Sequence, residues 1–201
     1  MVRVIMRRFF KHKLAGIAIA VLALLILASA FAFTTPYSPT DQEPTNSFQK
    51  SNADHWFGTD ELGRDVFTRI LYGGRVSLTV GLFSTFLSIA LGVLVGALSG
   101  YFGGWVDSVL MRITDAFLTF PTIFVLIILG AFLREQQVPW LKNSVLIVII
   151  IIAALSWMWP ARLVRGLFIV LREREFVTAS RALGGSSARI IIQHILPNCI
   201  G

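Results

Sequence analysis

The sequence predicts an all-α integral membrane protein with four complete transmembrane helices and the start of a fifth. Three observations predict it. Of the 201 residues 55% are apolar and only 14% are charged, with a positive mean hydropathy, a balance that no soluble core of this size needs. Apolar runs long enough to cross a bilayer core of ~30 Å, at ~1.5 Å per residue, recur along the chain. The basic residues flank those runs and form no continuous patch with interleaved aromatics. The net charge of +7 therefore speaks to membrane orientation and against nucleic acid.

Residues 1–13 hold Arg3, Arg7, Arg8, Lys11 and Lys13 and no acid, and Leu14–Phe33 is an uncharged run that predicts the first span. Ala28-Ser29-Ala30 has the small-x-small look of a signal cleavage site, but the run is longer than the 7–15 residues of a typical signal core, so it reads as an uncleaved anchor. Residues 34–74 are the long polar segment, with Pro36, Pro39 and Pro44 and six acids against three bases. The positive-inside rule puts the N-terminal tail in the cytoplasm and this segment outside. Within it the sequence predicts an amphipathic helix along the membrane surface, capped by Thr59, with Asp60 and Glu61 in its first turn and Val66, Phe67, Ile70 and Leu71 on one apolar face. The acids Asp60, Glu61 and Asp65 lack the spacing of a calcium loop and read as capping and ion-pairing groups.

The second span is predicted over Val76–Gly100, where Ser77, Gly81, Ser84, Ser88, Gly92, Gly96 and Gly100 recur at steps of three and four on one face. Such a face permits close helix contact, with Gly92, Gly96 and Gly100 as the packing residues; lining a substrate path is the alternative. A turn at Tyr101–Trp105 leads to a third span, Val106–Leu133, in which Arg112 and Asp115 are expected to pair and Pro121 to bend the helix. Arg134–Asn143 reads as a short external loop, and Ser144–Ala161 as the fourth span, with Trp157 and Trp159 at the interface. Six arginines against two glutamates from Arg162 onward return the chain to the cytoplasmic side.

There the stretch LREREFVTASRALGGSSARIIIQHILP, Leu171–Pro197, reads as helix, sharp turn, helix. Phe176, Ala179, Ala182 and Leu183 recur at helical spacing, Gly184 and Gly185 supply a left-handed stop, and Ser186 or Ser187 can cap a helix starting near Ala188. An exposed helix-turn-helix between spans is a shape that a soluble partner can grip in a cleft. Ile190–Ile200 looks like the start of the fifth span.

This stretch resembles the EAA loop of ABC importer permeases, whose pattern falls on Thr178, Ala179, Ser180, Gly184, His194, Leu196 and Pro197. Ala179, Gly184, Leu196 and Pro197 match; Thr178 replaces the acidic residue, Ser180 an alanine and His194 an apolar residue. The tracts FGTDELGRDVFTR, GYFGGWVD, DAFLTFP, REREF and RALG are similar to the dipeptide, oligopeptide and nickel permease branch. The resemblance implies the type I ABC permease fold. It divides the chain into a cytoplasmic tail and first helix (1–33), an extracytoplasmic loop (34–74) and a transmembrane domain (75–201) that carries a cytoplasmic coupling loop at 172–189. It implies ATPase coupling through Glu175, Phe176, Thr178, Ala179, Ser180, Ala182, Leu183 and Gly184. The implied partners are a second homologous permease, two ATP-binding subunits and an extracytoplasmic solute-binding protein, in a bacterial inner membrane. It also implies one or two further spans, so the chain reads as C-terminally truncated.

No Gly-x-x-x-x-Gly-Lys-Ser/Thr loop is present, so ATP is expected on the partner subunits and no cofactor on this chain. Catalytic and metal residues are likewise expected to be absent: there is no His-Glu-x-x-His and no Gly-x-Ser-x-Gly, and His12, His55, His194 and the single Cys199 are scattered. Two rival classes remain. A membrane-embedded enzyme or enzyme-anchoring subunit would use an external site in 34–74, with His55, Asp60, Glu61 and Arg64, and a stand-alone channel would pass solute without ATPases.

Overall fold

In the computed structural model the residues described are 13–135 and 144–199, and the elements among them are helical. The basic tail before Lys13 and most of the expected 134–143 loop lie outside them. The chain divides into two compact units, Met1–Thr79 and Val80–Gly201.

In the first unit, α1 (Lys13–Ala30) continues as a 3-10 turn, Phe31–Thr34. Its side chains are almost all exposed, including Leu14, Leu24 and Leu27, as suits a helix solvated by lipid. The polar segment then folds into a small cap of turns. Its backbone is cross-tied by Glu43 N–H to Leu62 O (3.1 Å), Phe48 N–H to Asp60 O (3.1 Å) and Thr59 N–H to Gln49 O (3.1 Å). Here the structure corrects the expected surface helix. Thr59 caps nothing: its hydroxyl accepts from Gln49 N–H (2.8 Å) and donates to the Asn46 carbonyl. Asp65 takes the capping role, accepting from Thr68 N–H at 2.7 Å, and α2 starts at Val66. The reason is local: Gly63, at φ +73°, turns the chain back, so 59–65 closes on itself.

Helix α2 runs without a break over Val66–Phe102, 37 residues, so the expected surface helix and second span are one rod. In the second unit α3 (Gly104–Thr119) and α4 (Thr122–Glu135) are bent by 86° at Pro121, which cannot donate to the preceding turn and holds Phe120 extended. Helices α5 (Ser144–Ser156) and α6 (Met158–Leu171) are bent by 41°. Among the described residues two helices are long and apolar enough to cross a membrane, or four if each bent pair counts as one span. The third and fourth expected spans are thus broken rods. Ile147 and Ile151 of α5 pack against Leu126 and Leu129 of α4.

The chain ends its described part with α7 (Glu175–Ala182), the single-turn α8 (Ser187–Arg189), a wide π turn (Ile190–Ile195) and a 3-10 turn (Leu196–Cys199). Where the sequence predicts the start of a fifth span, the chain is helical, and its π turn closes hydrogen bonds five residues apart. In an α-helix residues five apart point about 140° away from each other. The wider turn lets Ile190 and Ile195 bury together, 1% and 0% exposed, in one cluster with Val164, Phe168 and Val177.

Candidate functional site: the helix-turn-helix and its seat

The site is built on α6. The small stripe of α2 meets this helix: a Cβ added to Gly92 would lie 2.9 Å from the Trp157 carbonyl oxygen, one on Gly96 2.9 Å from the Val164 Cβ, and one on Gly100 2.6 Å from the Phe168 Cβ. Backbone therefore meets backbone along two turns, which side chains larger than hydrogen would prevent. The other end of the predicted stripe differs, since Ser77 and Gly81 are exposed and Gly81 has open space around it.

Three arginines of α6 and its end tie this seat to the neighbouring elements. Arg165 Nε and Nη2 donate to the two carboxylate oxygens of Asp107 in the first turn of α3, at 2.5 and 2.6 Å, and Ser99 Oγ bonds the same carboxylate. Arg172 Nη1 donates to the Gly100 carbonyl (2.9 Å), a C-terminal group of α2 with no helical partner of its own. Arg162 pairs with Asp115. This last contact corrects the expected Arg112–Asp115 pair: Arg112, on the same helix, is exposed, while the α6 guanidinium meets Asp115 from across the packing interface.

On this seat α7 is anchored by one side. Val177 is fully buried in the Phe168 cluster, and the Arg181 guanidinium lies 5.9 Å from the centre of the Tyr101 ring, one helical turn further along. The coupling residues read from the sequence lie mostly on the other side. Glu175, Phe176, Thr178, Ala179, Ala182, Leu183 and Gly184 are exposed, Leu183 by 89% and Phe176 by 39%, and Ser180 is half-buried. The turn after them is a Schellman stop: Gly185 N–H reaches Ser180 O (2.9 Å), Gly184 N–H reaches Arg181 O (3.0 Å), and Gly184 takes φ +78°. Ser186 Oγ accepts from Arg189 N–H at 3.4 Å and caps α8.

Sequence reasoning missed Val177, Asp107 and Arg165. A lone valine in a charged tract carries no periodic signal, and partners 58 residues apart cannot be matched from one sequence.

Of the residues named for a rival active site, His55, Asp60 and Arg64 are held in separate structural pairs, and Glu61 is exposed. Asp60 accepts from Arg64 Nε at 2.8 Å and also pairs with Arg69, while His55 Nδ1 lies 3.0 Å from Asp65, under the Tyr37 ring at 4.7 Å. Desolvation would raise the Asp60 carboxyl, but the N–H groups of Arg64 and Leu62 and the Arg64 guanidinium outweigh it and hold the pKa at about 2. Asp65 is likewise lowered: desolvation opposes, and the Thr68 N–H and His55 prevail. Among the described residues no group of three His, Cys, Asp or Glu side chains could hold a metal, and His194 is half-buried.

Comparison with known proteins bears on the same elements. The family model described as "Binding-protein-dependent transport system inner membrane component" matches residues 92–201, and that of the "N-terminal TM domain of oligopeptide transport permease C" matches residues 1–52. The chain is 40% identical over 191 residues to the dipeptide transport system permease protein DppC of Alkalihalophilus pseudofirmus, covering 94% of this chain and 60% of the relative. It is 38% identical to DppC of Bacillus subtilis, over 97% of this chain and 59% of the relative, and 34% identical to the oligopeptide transport system permease protein OppC of the same organism, over 98% and 62%. The chain thus spans about 60% of the length of these relatives.

Proposed function

We infer the function from the family: the chain belongs to the binding-protein-dependent transport system inner membrane components. It is a membrane-spanning permease subunit of an ATP-driven ABC importer, and its likeness to dipeptide and oligopeptide permeases assigns it di- or oligopeptides as cargo.

One observation supports this reading most. Helix α7 is fixed by Val177 on one side and leaves Phe176, Ala179 and Ala182, with Leu183 at its end, exposed on the other, next to a tight turn. A short helix held this way suits insertion into a groove of a soluble subunit. On this reading Glu175, Thr178 and Ser180 border the contact, and Gly184 sets its exit angle. The chain performs no catalysis; ATP is bound and hydrolysed by two partner subunits, a second homologous permease completes the pathway, and an extracytoplasmic binding protein delivers the peptide. The N-terminus and the 172–189 loop are cytoplasmic, and the 34–65 cap is extracytoplasmic. Coupling then consists of ATP-driven closure of the partners moving α7, which tilts the spans between outward and inward openings.

The test is reconstitution of the complete complex in proteoliposomes with a labelled dipeptide, a labelled pentapeptide or nickel ions outside. ATP-dependent uptake of either peptide supports the assignment. Uptake of nickel alone would contradict the cargo, and uptake without ATP would contradict the class.

A further inference from the structure

We propose that Asp107 and Arg165, with Ser99 and Arg172, form the linkage that passes movement of α7 to the α2–α3 hairpin. The inference rests on the transport reading above and assigns roles that the coupling loop alone does not supply.

Movement of α7 must first reach α6. It does so through Val177, which shares a closed apolar cluster with Phe168 and Val164, and through the short connection Arg172–Arg174, in which Arg174 N–H bonds Leu171 O at 3.1 Å. Close packing of this kind transmits displacement, because it leaves no void into which the side chains can yield. Helix α6 in turn cannot slide freely along α2, since Pro160, Val164 and Phe168 seat their Cβ atoms against Gly92, Gly96 and Gly100.

The polar contacts then direct the displacement. The Arg165 fork grips both oxygens of Asp107, a bidentate geometry that fixes orientation as well as distance. Asp107 stands in the first turn of α3, directly after a turn made by Gly103 and Gly104 at φ +66° and +54°. Ser99 holds the same carboxylate from the last turns of α2, and Arg172 holds the Gly100 carbonyl one residue further on. A pull on α6 is therefore delivered to both arms of the hairpin. From there α3 leads through the 86° bend at Pro121 to α4. The pair is half-buried, Arg165 35% and Asp107 20% exposed, so water screens it less than a surface ion pair.

This gives Asp107 and Arg165 positioning roles, separate from docking. The experiment compares Asp107→Asn, Arg165→Asp and the reversed pair Asp107→Arg with Arg165→Asp in the reconstituted complex. Three quantities are read: cross-linking of α7 to the ATPase, ATP hydrolysis, and peptide taken up per ATP hydrolysed. The single variants are expected to keep the cross-link and hydrolysis while uptake per ATP falls about tenfold or more, and the reversed pair to recover most of it. Normal uptake per ATP in Asp107→Asn would overturn the linkage alone. So would loss of the cross-link in the singles, which would make the pair a docking or folding element. A parent complex with no ATP-driven uptake would overturn the transport reading and the linkage together.

Discussion

Gly100 and Phe168 approach so closely that a methyl group on Gly100 would stand 2.6 Å from the Phe168 Cβ. Phe168 is completely buried, so neither partner has room to retreat. The contact explains why the second half of α2 is small on one face, and it makes the stripe position-dependent in a way that can be measured.

Gly96→Ala should destabilise the protein by about 1–3 kcal/mol, the usual range for overpacking a tight contact. Its new methyl would meet the Ala161 carbonyl oxygen and the Val164 Cβ. Gly81→Ala, in the same helix but with open space around it, should be neutral or slightly stabilising because alanine is the better helix former. Thermal unfolding in detergent, followed by size-exclusion chromatography, compares the two. Equal effects would contradict the packing account.

Gly184→Val should act differently. A Cβ there meets nothing, but the left-handed backbone at φ +78° disfavours a branched side chain by about 1–2 kcal/mol. The variant should insert normally while transport separates from ATP hydrolysis, and Gly184→Asn should retain more coupling because asparagine tolerates this conformation. Uptake and hydrolysis measured side by side check this, and normal uptake in Gly184→Val would contradict it.

Asp65 caps α2 through Thr68 N–H, so Asp65→Ala should loosen the start of the helix by about 1 kcal/mol, whereas Asp65→Asn should keep most of the cap. Hydrogen exchange at Val66–Arg69 reads the difference. Equal protection in Asp65→Ala and the parent would contradict the capping role.

The cap should also respond to acid in a defined window. Asp60 and Asp65 both have folded pKa values below their ordinary value, Asp60 at about 2, so their contribution is present above the unfolded value near ~3.9 and is lost as pH falls through the folded one. The contribution of these two carboxylates should be constant above about pH 5 and fall between about pH 4 and about pH 2. Trp56, packed on Phe67 at 5.0 Å, reports this by fluorescence once the other tryptophans are replaced. A transition centred above pH 5 would implicate other groups.

How far the sequence could be read followed from the range of each interaction. The apolar runs, the bend at Pro121 and the stop at Gly184 depend on neighbouring residues, and each was visible in the chain itself. The cap of α2 is ambiguous in sequence because Thr59, Asp60 and Asp65 are all capable caps. Only the cross-ties from Gln49 and Asn46, which occupy Thr59, leave the role to Asp65. The partner of Asp115 is hidden for the same reason: the helical neighbour Arg112 is visible in sequence, while Arg162, 47 residues away, becomes a neighbour only by folding. On α7 the exposed stripe was legible from periodicity, and its anchor Val177 was not, since burial there depends on Phe168 and the π turn.

The central claim is that α7 docks into an ATP-hydrolysing subunit and moves with it. The most direct measurement is site-directed cross-linking in membranes, with Cys199→Ser as background, Ala182→Cys as probe and a cysteine engineered in the cleft of the co-expressed ATPase. The account predicts a cross-link whose yield changes when ATP is bound. Absence of any cross-link from a protein shown to be inserted and assembled with the second permease would contradict it.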